Sequence, residues 1–314
     1  MRSSSFSLLR RPRTQFPTRA VCRQPGKPEF PLDHVIAIAF AVFIWWFSTG
    51  AILYLLRMPS ETYGLSVVTA SAVAFLGLVG LWVTSDDTTA ASAFCGFTCA
   101  LAVWAWHEIS FLTGYVTGVR VTRYVPGDDE LPRFIQATQA LIYHELAILV
   151  TAAAIVWLTW GQPNQVGTAT FIILWLARLS AKLNIYLGVP NLTEEFLPPR
   201  MSYLKSYFRS RSMNLLFPIS VSIATIVTWL CIDAARDPNA SAFQVAGHSL
   251  LGTLMFLVVI EHWFLVLPLP VAALWNWQSN AESSATLQSS SDQPLAATMP
   301  SNDQLQMLAR RTYH

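Results

Sequence analysis

Residues 35–56 read VIAIAFAVFIWWFSTGAILYLL, a run without one Asp, Glu, Lys or Arg. A helix that crosses the ~30 Å hydrocarbon core of a bilayer needs about 20 mostly apolar residues, at ~1.5 Å rise each. This stretch meets that length. Six more runs follow it, at 65–83, 90–112, 134–160, 166–187, 215–232 and 243–267. Turn chemistry separates them: RMPS at 57–60, SDD at 85–87, PGDD at 126–129, GQPN at 161–164 and DPN at 237–239. A transmembrane barrel would instead show alternating segments of about 10 residues. The expected fold is all-α: a polytopic membrane helix bundle of about seven transmembrane helices.

Composition supports this reading. Hydrophobic residues make up 53% of the chain and charged ones 12%, where an ordinary soluble domain carries roughly 25% charge. The 12 Trp and 18 Phe argue against a disordered chain. Four Cys are too few for a disulfide framework. A net charge of +2 gives no basic surface for nucleic acid, and no nucleic-acid partner is expected.

The spans occupy residues 34–277, between two polar tails. Residues 1–33 hold Arg2, Arg10, Arg11, Arg13, Arg19, Arg23 and Lys27 among Ser and Pro. They read as a basic disordered tail of transit-peptide-like composition, or as the product of an upstream start codon. Residues 278–314, rich in Ser, Gln, Ala and Asn, read as a disordered polar tail. The loops after spans one, three and five carry Arg57, Arg120, Arg123, Arg133, Arg200, Lys205, Arg209 and Arg211, against Arg236 alone on the other side. The positive-inside rule then puts the C-terminus in the cytoplasm, with the basic N-terminal tail pulling the other way.

Charge inside a span costs about 2.5–3.5 kcal/mol per group, so each such residue is a functional candidate. Three spans hold adjacent His and Glu, at His107-Glu108, His144-Glu145 and Glu261-His262, and span five adds Arg178, Lys182 and Asn184. Counted from the helix ends, these groups fall at one level of one leaflet. An ion-pair network fits them, with Arg178 and Lys182, at i and i+4, neutralising two of the three Glu. So does a site for iron or another transition metal, although Glu-x-x-His spacing is missing. So does axial ligation of a porphyrin-type metal by one imidazole. Cys95 and Cys99 share a face and read as small apolar packing. Gly77 and Gly80 read as a close helix contact. Residues near 198–210 read as an interfacial amphipathic segment, with Tyr203, Tyr207 and Phe208 on one face. Together with Asn191, Glu194 and Glu195 they form an expected partner-facing loop.

Several stretches resemble one family. They are PNQVG at 163–167, RLSAKLN at 178–184, NLTEEFLP at 191–198, WWFSTGA at 45–51, FTCA at 97–100 and EHWFLVLP at 261–268. They are similar to the photosynthetic complex assembly protein 2 (PuhE-like) family of anoxygenic phototrophic bacteria, over about residues 34–278. The resemblance implies a multi-pass factor of the bacterial inner membrane. Such a factor would assist assembly of reaction-centre and light-harvesting proteins or supply their pigment, and a bacteriochlorophyll-type pigment is its expected ligand. It carries over no catalytic or binding residue. A membrane metalloenzyme acting on a lipid, isoprenoid or pigment precursor is the alternative, and a transporter is weaker because no paired broken helix is evident.

Overall fold

A computed structural model describes residues 32–124, 133–192 and 197–267. Residues 1–31 of the N-terminal tail, the whole C-terminal tail, the turn at 126–129 and the pair Glu194 and Glu195 lie outside the described residues. The helices are α1 (Leu32–Arg57), α2 (Tyr63–Val83), α3 (Ala90–Leu112), α4 (Arg133–Gln139), α5 (Ile142–Leu158), α6 (Val166–Leu187), α7 (Leu216–Ala235) and α8 (Ala242–Phe264). The described residues contain no strand. Local chemistry sets several ends. Asp33 opens α1 and Arg57 closes it, each matching the helix dipole. Thr89 caps α3 by accepting from the Ser92 N–H, and Ser241 with Gln244 forms a capping box on α8. The first helix begins at Leu32, inside the stretch that reads as tail.

Six helices are long and apolar enough to cross a membrane, and the bent pair α4–α5 makes a seventh crossing if counted as one. Hydrogen bonds settle how to count it. His34 on α1 meets Ser249 on α8, and further along both helices the Trp45 indole donates to Glu261. The first and last crossings therefore run in the same direction, which requires an odd number of crossings, so α4–α5 counts as one. The expected continuous helix over 134–160 is corrected: it bends by 61°. Neither Gly nor Pro marks the break. It persists because the 114–124 segment takes up the freed backbone groups. The Thr117 carbonyl accepts from the His144 N–H at 2.9 Å, and the Arg120 N–H donates to the Gln139 carbonyl at 3.3 Å. Gly118 allows this approach, since a Cβ there would stand 2.1 Å from the Gln139 carbonyl oxygen.

Central helices α3 and α8 are the most buried. Large apolar side chains on α2, α5 and α7, such as Leu76, Val150 and Trp229, point outward, as a lipid-facing surface should. Small residues let helices touch. A Cβ on Gly77 would stand 2.9 Å from the Cys99 carbonyl oxygen, and one on Gly80 would overlap the Cys99 sulfur. The glycine pair and Cys99 are thus a packing contact. Asn164 ties the opposite end of the bundle, donating to the Thr84 and Ser92 carbonyls.

Candidate functional site

The ionisable groups of four crossings gather at one place, and those of three form ion pairs. The Arg178 guanidinium lies 3.0 Å from a Glu108 carboxylate oxygen, and Lys182 Nζ lies 2.7 Å from Glu145. Both pairs join parallel or neighbouring helices at the level fixed by the break, because the turn at residues 140–141 aims α5 so that Glu145 reaches α6. The Trp175 indole also donates to Glu145, at 3.4 Å. The ion-pair geometry expected from the spacing of Arg178 and Lys182 is present, one carboxylate to each cation.

The three His have different surroundings. His107 and His144 are fully buried, their ring centres 6.4 Å apart. Trp104, Trp106 and Phe171 surround the first, and Phe111 lies 4.3 Å from the second, centre to centre. None of their four ring nitrogens has a hydrogen-bond partner among the described residues. His262 uses both nitrogens. Nδ1 is bonded to the Val258 carbonyl at 2.9 Å, which requires the proton there, and Nε2 lies 2.9 Å from Ser180 Oγ. Ser180 in turn meets Ser220, which accepts from Asn184. Asn184 therefore belongs to a hydrogen-bonded seam joining α6, α7 and α8, and not to the ion pairs. Among the described residues no group of three or more His, Cys, Asp or Glu is placed to hold a metal ion.

A cavity of about 400 Å³ opens beside the ion pairs. Its walls are mostly apolar, from α1, α3, α6 and α8, with the α4–α5 break and residues 197–208 closing one end. Glu108, Arg178, Lys182 and Glu261 line it, whereas His107, His144 and His262 do not. Trp104 and Phe111 stand between the cavity and the imidazole pair. None of the three imidazoles is among the groups that line this space. The Glu261 carboxyl faces the cavity and accepts from the Trp45 indole at 2.8 Å. Trp45 is halfway along the 26-residue α1, about 19 Å from either end of that helix.

Of the expected partner-facing loop, the described part packs against the chain itself, and Glu194 and Glu195 lie outside the described residues. Residues 199–207 form a 3₁₀ segment rather than an α-helix. Tyr203 and Tyr207 are buried in a cluster with Phe111, Leu112 and Met201. Tyr207 accepts from Arg120, donates to the Thr122 carbonyl and accepts through its own carbonyl from Arg133. Burial pushes the Tyr203 phenol pKa up. Asn191 donates to the Phe264 and Leu267 carbonyls, capping the end of α8. Phe208 lines the cavity. The aromatic face that reads as membrane-lying is thus turned inward, against the chain's own helices.

Sequence reasoning missed Trp45, Ser180 and Ser220. The usable signal was the Trp45 N–H, which needs an acceptor when it sits inside an apolar span.

A family model described as "Protein of unknown function (DUF3623)" matches residues 32–286. The chain belongs to the DUF3623 family. Similar to it is a Rhodobacter capsulatus protein named "Uncharacterized 30.4 kDa protein in puhA 5'region". The two are 36% identical over 240 residues, which is 75% of this chain and 87% of that protein. No solved structure matches the chain.

Proposed function

We propose that this DUF3623 protein is an integral membrane factor that assists assembly of the bacterial photosynthetic apparatus, or pigment supply to it. The observation that carries the proposal is the likeness to a protein encoded beside puhA, a photosynthesis gene, along nearly all of that protein's length. The cavity supplies the means, a space inside the bilayer with apolar walls and a polar patch. Holding an amphiphile or an apolar segment of a partner requires no catalytic group, and that agrees with ion pairs that neutralise each other. The metalloenzyme alternative is less supported, since His262 already uses both ring nitrogens and the other two imidazoles are walled off.

Deleting the gene in its native host tests the role. The membrane absorbance of reaction-centre and light-harvesting complexes should fall severalfold while unrelated membrane proteins persist, and the gene in trans should restore it. Unchanged photocomplex absorbance would refute the assembly role. The same reading places the protein in the inner membrane with its C-terminus in the cytoplasm, by the loop bias of Arg and Lys. A reporter fused after Trp277 should be active on the cytoplasmic side, and one inserted at 86–89 on the periplasmic side. The reverse pattern would show that the N-terminal basic tail decides orientation.

A further inference from the structure

The polar layer beside the cavity holds three carboxyl groups, Glu108, Glu145 and Glu261, against the two cations Arg178 and Lys182. Arg178 and Lys182 answer Glu108 and Glu145, one cation to each carboxylate. Glu261 is a third carboxyl on the same layer, and among the described residues no ion pair reaches it. The Trp45 indole donates to it at 2.8 Å, although a carboxylate can accept about four hydrogen bonds. Glu108 adds to the excess: its side chain is 10% exposed, and Oε1 has no partner among the described residues. The charged groups that act on Glu261 across the cavity are Arg178 and Glu108, which already pair with each other. Glu261 stands in the last turn of α8 but faces the apolar cavity opposite Trp45, the middle of α1, and a carboxylate there is costly unless something donates to it.

We propose that the cavity binds a membrane amphiphile with an amine head, the ammonium seated on Glu261 and the chain along the apolar wall of Leu53, Leu254 and Leu257. Charge complementarity selects this head. An ammonium brings the layer to three cations against three carboxylates and supplies up to three donors to the open oxygens. A carboxylate or phosphate head would raise the anionic excess, although Arg178 keeps an Nε donor with no partner among the described residues and only its Nη2 is engaged by Glu108. The cavity of about 400 Å³ is within the size range of small-molecule sites. The inference stands on the cavity's chemistry alone, so it succeeds or fails independently of the assembly role.

The test uses the full chain in nanodiscs and three probes with one tail: dodecylamine, dodecan-1-ol and dodecanoic acid. Retention is measured against empty nanodiscs, which removes plain partitioning into lipid. The expected order is amine over alcohol over acid. Glu261→Gln keeps the shape and the Trp45 bond but removes the charge, and should weaken retention of the amine about tenfold. Ala181→Phe, which fills the cavity, should bring all three probes to the empty-nanodisc level. Equal retention of the three, preference for dodecanoic acid, or an unchanged amine preference in Glu261→Gln would overturn the proposal. The rank order for the unmodified chain decides by itself if either variant fails to accumulate.

Discussion

Trp104 and Phe111 divide the polar layer into two regions that share residue types and differ in access. Behind them, His107 and His144 are enclosed by aromatic rings, fully buried and without hydrogen-bond partners among the described residues. In front of them, Glu108, Arg178 and Glu261 border an open cavity. Both regions lie at one level, and both contain the groups that hydropathy marks as costly. Only the second can meet anything from outside the chain. A buried titratable group is therefore evidence of a site only when its polar atoms face a space; otherwise it belongs to the packing.

The difference predicts unequal responses to removing charge. Glu145→Gln leaves Lys182 in a pair whose side chains are only 17% and 23% exposed, and breaking such a pair should cost about 3 kcal/mol or more. Less protein should accumulate in the membrane, and thermal unfolding in detergent should occur at lower temperature. Glu108→Gln faces a guanidinium side chain that is 41% exposed at the cavity, where solvent or a ligand can answer the charge. Its cost should be nearer 1 kcal/mol. Equal losses would show that the cavity does not relieve Arg178, and that the two regions are one enclosed network.

His144→Phe sharpens the comparison from the other side and should have the smallest effect. The ring already lies against Phe111 and donates to nothing described, so an apolar ring of similar shape is nearly neutral or stabilising there. Abundance and photocomplex levels should both stay near normal. Loss of photocomplexes at normal abundance would restore His144 as a ligand.

The crossings and their order are legible in the sequence, because seven apolar runs separated by Pro, Gly, Asn and Asp clusters allow little else. The pairing of Arg178 and Lys182 with two of the Glu is legible too, since i and i+4 positions share a face and opposite charges inside a bilayer seek each other. What is not legible depends on packing. The residues 136–142, QATQALI, contain neither Pro nor Gly, and their break is stabilised by Thr117, Arg120 and Gly118, which precede them by some twenty residues of chain. The Tyr203 and Tyr207 face fits lipid and protein equally well by composition, and the basic groups of Arg120 and Arg133 draw Tyr207 inward. The cavity is a space between residues, and periodicity carries no information about it.

The most direct test of the account is the photocomplex absorbance of native-host membranes in which the chain carries Ala181→Phe, with abundance measured in the same membranes. Ala181 lines the cavity and belongs to neither ion pair, so a larger side chain there should fill the space and leave the enclosed His region alone. The account predicts normal abundance of the protein with photocomplex absorbance reduced toward that of the deletion strain. Full photocomplex absorbance at normal abundance would contradict it, and would mean that the protein works through some surface other than the cavity.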